Sequence, residues 1–156
     1  SGTILNEVMK AGEILSSEYD IGSDVFSVTS FNELARDGQD AERQNLLQPG
    51  AEPRVPYIAN VMSSEPAIAA TDYMKNYAEQ VRAFIPADSY AVLGTDGYGR
   101  SDSRENLRTH FEVNRHYVVV ATLNELAKRG DVEPSTVTEA ISKYEIDVNK
   151  PNPLFC

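Results

Sequence analysis

The residues most able to do chemistry lie in one stretch, Gly94-Thr95-Asp96-Gly97-Tyr98-Gly99-Arg100-Ser101-Asp102. Glycines between a strand and a helix start can turn several backbone amides toward an anion, and Arg100, Arg104 and Arg108 would add positive charge. Gly97, Gly99, Arg100 and Ser101 are therefore the candidate anion-binding turn. The glycine order fits neither a dinucleotide fingerprint nor a Walker loop, which needs a lysine after its last glycine. The simpler reading is structural, because a strand-to-helix junction needs glycine for its backbone geometry anyway.

Other constellations are weaker. Asp96, Asp102 and Glu105 offer carboxylates, yet Asp102 and Glu105 have the spacing of a helix cap rather than of an acid-base pair. His110 and His116 stand six residues apart, which does not put two metal ligands on one helical face. They read as surface or packing histidines. No Gly-x-Ser-x-Gly elbow is present. The sole cysteine, Cys156, ends the chain, so there is no disulfide framework and no cysteine cluster for a structural metal. The eight tyrosines read as core or interface residues, with Tyr73 and Tyr77 on a core-facing helical stripe and Tyr57 and Tyr90 in strands.

Apolar positions Leu5, Val8, Gly12 and Leu15 predict an amphipathic helix from Thr3 to about Ser17. It is entered through Ser1-Gly2-Thr3, as the second half of a strand-turn-helix unit, so a strand upstream is expected. Asp24 to Thr29 predicts a strand, and Ser30 with Glu33 a capping box. The helix from Phe31 is expected to break near Asp37-Gly38 and resume from Glu42 to Leu47. The acidic run Asp37 to Glu42 reads as a solvated face. Tyr57 to Met62 and Ala67 to Ala70 predict strands, and Thr71 or Asp72 caps a helix through Tyr73, Tyr77, Val81 and Phe84. Tyr90 to Gly94 predicts a further strand, and a helix surrounds Asn106 to Phe111. A helix from Tyr117 to Arg129 closes on Gly130, and Pro134 starts the last one.

Strands alternating with helices through short loops imply an α/β fold, a three-layer sandwich whose mostly parallel central sheet is flanked by helices. Its length of 156 residues suits a single domain spanning 1–156. The net charge of −10 disfavours nucleic acid and anionic membrane surfaces as partners. The longest apolar run, Tyr117 to Thr122, is far short of a membrane span, and no signal-peptide pattern opens the sequence. A reducing cytoplasm is the expected location.

Three stretches taken together carry more information than any one motif. Phe31 to Gly38, Thr71-Asp72-Tyr73-Met74 and Leu93 to Arg108 closely resemble the C-terminal domain of the homodimeric bacterial pyruvate dehydrogenase decarboxylating component, and the likeness extends to Leu126-Ala127-Lys128-Arg129-Gly130 and the Asn152-Pro153 tail. The resemblance implies a transketolase-like C-terminal domain, with a first strand just before Ser1. It implies a longer enzyme that uses thiamine diphosphate and magnesium to decarboxylate pyruvate and passes the acetyl group to lipoyl groups of the dihydrolipoamide acetyltransferase. The family's Gly-Asp-Gly…Asn-Asn cofactor motif does not occur here, so no catalytic, cofactor or metal residue is transferred to this chain. The role it implies is structural: support of the cofactor-binding domains and of the homodimer contact. Two rivals stand beside it, a phosphate- or nucleotide-binding regulatory module at Gly94 to Asp102, and the same domain of a transketolase or another 2-oxo acid dehydrogenase.

Overall fold

The computed structural model describes residues 2–156. Its helices are α1 (Leu5–Tyr19), α2 (Phe31–Leu47), α3 (Tyr57–Val61), α4 (Lys75–Glu79), α5 (Arg104–His110), α6 (Arg115–Arg129) and α7 (Pro134–Lys143). Two strands, β1 (Ala67–Ala70) and β2 (Tyr90–Leu93), pair in parallel with Ala67 opposite Tyr90 and Ala70 opposite Leu93. The expected strand before Ser1 lies outside the described residues.

The α/β class and the parallel pairing follow the sequence reading, and the two strands carry a helical layer on each face. Side chains alternate across a strand, so one face of the sheet presents Ile68, Ala70 and Leu93 to a core built from Ile4, Ala11 and Leu15 of the N-terminal segment, Val118, Val119 and Leu123 of α6, and Ala140 of α7. The other face presents Ala69, Tyr90 and Val92 to Phe31, Ala35, Ile58, Ala78, Val81 and Phe84. Tyr90 is tied into this layer by its hydroxyl, which donates to the Ala78 carbonyl at 2.8 Å, while Arg82 donates to the Tyr90 carbonyl at 2.7 Å and lies over its ring.

Several local expectations are corrected. Asp24 to Thr29 belongs to no strand among the described residues. Its β-branched sequence is suited to a sheet, but a strand exists only where a neighbour supplies hydrogen bonds, and no strand of the described residues lies alongside it. Helix α2 runs unbroken through Asp37-Gly38. Gly38 is there for packing: a Cβ at this position would fall 2.3 Å from Cδ2 of Phe84. Gly38→Ala is expected to destabilise the fold by about 1–3 kcal/mol through overpacking, measured by urea unfolding. A smaller cost would mean that Phe84 has room to swing away.

Tyr57 to Val61 is helical rather than a strand. Pro56 precedes its first turn, and Asp37 accepts from the Tyr57 amide at 2.7 Å while pairing with Arg54. Asp37 is thus a cross-link between α2 and α3 rather than part of a solvated face. The single helix expected through Tyr73 to Phe84 is instead α4 followed by a 3-10 turn at Arg82–Phe84. Val81 and Phe84 are buried as the periodicity predicts, whereas Tyr73 and Tyr77 are exposed.

Side-chain caps start α2, α5 and α6. Ser30 accepts from the Glu33 amide at 3.2 Å, one half of the expected capping box, while the Glu33 carboxylate accepts from Arg36 at 2.6 Å. Asn114 Oδ1 accepts from the His116 and Tyr117 amides, which starts α6 two residues earlier than apolar periodicity suggests. Gly130, at φ +89°, closes that helix in the left-handed region, and the Asp131 amide donates to the Leu126 carbonyl at 3.0 Å. No helix is long and apolar enough to cross a membrane among the described residues.

Candidate functional site

The carboxyl ends of β1 and β2 lie side by side, and the residues that follow them form the edge where a parallel sheet normally meets its ligands. After β1, the Thr71 amide extends the ladder by donating to the Leu93 carbonyl at 3.0 Å, and the fully buried Thr71 hydroxyl accepts from the Tyr73 amide at 3.1 Å. Asp72 Oδ2 then accepts from the Thr3 hydroxyl and the Ile4 amide, both at 3.0 Å, clamping the first turn of the chain. After β2, the Thr95 amide donates to the Tyr73 carbonyl at 2.9 Å, and Asp96 Oδ2 accepts from the Lys75 amide at 3.2 Å at the start of α4. Asp72 and Asp96 each have an oxygen committed to a backbone amide.

The glycine-rich turn has a steric explanation. A Cβ on Gly94 would sit 2.8 Å from both the Lys75 amide nitrogen and the Tyr73 carbonyl oxygen. Gly97, at φ +113°, would place one 2.0 Å from the Pro153 carbonyl oxygen, so the C-terminal tail packs directly on the turn's backbone. Gly99 has open space around it, and Gly97, Gly99, Arg100 and Ser101 are all exposed. The α5 cap is Ser103, whose Oγ accepts from the Asn106 amide at 3.2 Å, not Asp102 as the spacing suggested. Asp102 accepts instead from the Ser103 amide and from Asn106 Nδ2. Those two bonds, Asn106 first, hold its carboxyl below the usual carboxylate range.

The three arginines do not converge. Arg100 and Arg104 are exposed, whereas Arg108 turns to the N-terminal helix and donates to Glu7 Oε1 at 3.0 Å and to the Thr3 carbonyl at 3.2 Å. Glu7 is the functional-type residue that sequence reasoning missed. It is 5% exposed and takes bonds from Arg115 Nε (2.9 Å), Nη2 (3.0 Å) and backbone amide (3.0 Å) as well as from Arg108. Burial pushes its carboxyl up, but the Arg115 bonds and the charges of Arg115 and Arg108 outweigh that and hold it below its ordinary value of 4.5. The signal was legible: Glu7 sits between Ile4 and Ala11 on the core-facing stripe of α1, where an acid must find a partner.

The histidines are apart and serve packing. His116 stacks on Tyr144, with ring centroids 4.5 Å apart and planes 2° apart, and His110 meets Phe111 edge-on. Burial first, then the charges of Arg100 and Lys150, push the His110 imidazole below its usual value. No group of three His, Cys, Asp or Glu side chains is placed to hold a metal ion among the described residues. Both acids of the sheet edge are bonded to backbone amides, and Gly97 is covered by the tail. What the edge does offer is apolar surface: Tyr73, Met74, Tyr98, Leu154 and Phe155, all at least half exposed, flank the turn and the tail that packs on it.

Comparison with known proteins places these features. The family model described as a transketolase-like TK C-terminal domain matches residues 1–114. The pyruvate dehydrogenase E1 component of Escherichia coli K12 is 65% identical over 153 residues, covering 98% of this chain and 17% of that protein. The proteins of the same name from Haemophilus influenzae and Pseudomonas aeruginosa are each 56% identical, over 155 and 158 residues, and the chain corresponds to 18% of either. The chain therefore spans less than a fifth of the length of the curated relatives it matches.

Proposed function

Because the chain belongs to the transketolase-like C-terminal domain family, we propose that it is the supporting C-terminal domain of a pyruvate dehydrogenase E1 component, packing beside the cofactor-binding domains and contributing to the homodimer contact. The longer enzyme in this reading depends on thiamine diphosphate and magnesium, held by residues outside this chain. It decarboxylates pyruvate in the cytoplasm and delivers the acetyl group to lipoyl groups of the acetyltransferase. Residues 1–156 form one domain of it and catalyse nothing alone.

The observation that carries this reading is the exposed surface at the sheet's carboxyl edge. Aromatic residues and methionine are enriched where proteins bury surface against one another, and Tyr73, Met74, Tyr98 and Phe155 gather on the side of the fold where a catalytic α/β domain would keep polar groups. The acids at the same edge support it too, since both hold the backbone together.

Removing everything from Ser1 onward from the longer enzyme is expected to abolish its dimer and its activity together, read by gel filtration and by pyruvate-dependent turnover. An intact and fully active dimer would overturn the proposal.

A further inference from the structure

A cavity of about 560 Å³ opens where the first half of α1 meets the corner between α5 and α6. Lys10 and Glu13 of α1 line it, together with Glu7, Arg108 and Arg115. Three cations and two carboxylates therefore border it, a local excess of positive charge on a chain whose net charge is −10.

We infer that this cavity binds a small oxyanion, a phosphate or carboxylate group carried by a diffusible molecule, between the free edge of the Arg115 guanidinium and the Lys10 ammonium.

Donors outnumber acceptors in this corner. An ionised carboxylate has about four lone-pair sites. Glu7 already accepts from four donors: Arg108 Nη1, Arg115 Nε, Arg115 Nη2 and the Arg115 amide. One negative charge then stands against two guanidinium groups. Arg108 turns its Nη2 to the Thr3 carbonyl and hydroxyl, and its Nε is buried with no hydrogen bond. Arg108 is thus committed to the fold, and the unmatched charge falls to Arg115.

A guanidinium has five N–H groups and can meet an oxyanion through two parallel bonds along more than one of its edges. Glu7 takes the Nε and Nη2 edge of Arg115, and Nη1 has no partner among the described residues. The Arg115 side chain is 33% exposed against 14% for Arg108, so solvent and solutes reach it. Lys10 lies one turn along α1 from Glu7 and forms no ion pair among the described residues. Glu13 also pairs with neither cation, and its charge acts on Arg115 only through space.

These groups select the ligand class. A carboxylate or phosphate accepts two bonds from a guanidinium edge and keeps lone pairs for an ammonium. The volume lies within the ordinary range for small ligands, about 300–1,000 Å³. Met9 is the one large apolar residue on the walls, so a hydrophobic molecule would find little to bury against.

The test footprints lysines in the longer protein with an amine-reactive ester, read by peptide mass spectrometry, while inorganic phosphate or succinate is titrated in. Lys75, also exposed and without an ion pair among the described residues, is the internal control. Labelling of Lys10 is expected to fall at least about fivefold near saturation with one or both probes, while that of Lys75 stays constant. The more effective probe identifies the head group. Glu13→Gln, which removes the opposing charge at an exposed position, is expected to lower the half-effect concentration about threefold. Equal labelling of Lys10 and Lys75 at every concentration of both probes would overturn the inference, as would protection that Glu13→Gln leaves unchanged. A Lys10 that is unreactive before either probe is added overturns it too, since an acidic side chain from the rest of the polypeptide would then hold the site. The readout is local to α1, so it is independent of whether the dimer role holds.

Discussion

Glu7→Gln is expected to cost about 3–5 kcal/mol of stability at neutral pH, because it leaves two guanidinium groups facing an uncharged amide in a nearly dry site. The Glu7 and Arg108 side chains are only 7% and 14% exposed, so little water can reach Arg108 in place of the lost charge, whereas Arg115, 33% exposed, keeps part of its hydration. The pair is also built into the fold: the carboxylate accepts from the first amide of α6, where the helix dipole favours a negative charge, and Arg108 reaches back to Thr3. Urea titrations of the two proteins measure the difference. Its pH dependence has a defined sign. Glu7 is held below its ordinary 4.5, so its ionised form contributes in full above that value, and the contribution falls away as pH drops through the lower folded value. The gap between wild type and Glu7→Gln should be constant near neutrality and close in acid. The exposed Glu42→Gln serves as control, with a change within about 0.5 kcal/mol. A Glu7→Gln protein as stable as wild type would mean that Arg108 and Arg115 find other partners.

Gly97→Ala should have the second large effect, about 2–4 kcal/mol, from two causes that act together. Alanine is strained at φ +113°, and its methyl would overlap the Pro153 carbonyl. The cheaper escape is release of the tail, since Pro153–Phe155 is a single 3-10 turn held by Asn152. Release exposes the half-buried Cys156, whose thiol now donates to the Asn152 carbonyl at 3.4 Å. As the only cysteine, it reports the event cleanly: its reaction with an aromatic disulfide should quicken roughly tenfold once local opening becomes easy. Gly99→Ala, with open space around its Cβ, should change neither stability nor thiol reactivity. Equal effects of the two substitutions would mean that the turn itself, rather than the tail, demands glycine.

These two sites show which features a sequence makes visible. Helix α6 was legible because its apolar period, Lys128-Arg129 and Gly130 all point the same way. β1 and β2 were legible as short apolar runs between turn residues. Asp24 to Thr29 and Tyr57 to Met62 misled for different reasons. The first has strand composition but no strand beside it in the described chain, and pairing is a property of two segments. The second is decided by Pro56 and by the distant Asp37 carboxylate on the Tyr57 amide. At the glycine turn the residue types were visible, but the cause of Gly97 was not, since Pro153 lies more than fifty positions away. Arg108 looked like one of three convergent cations because Arg100, Arg104 and Arg108 are close in sequence, while its partner, Glu7, is not.

The pairing of α1 with α6 has a consequence for how the chain is made. Ile4, Ala11 and Leu15 share one core with Val118, Val119 and Leu123, so α1 packs against a helix that is made much later. Roughly a hundred residues separate them, which at about 5–20 residues per second leaves the apolar face of α1 waiting on the order of 5–20 seconds for its partner. During that interval Glu7 is an ordinary solvated acid in the middle of the sticky stripe. The same carboxylate that locks the finished fold therefore keeps a charge on that stripe until Arg115 arrives.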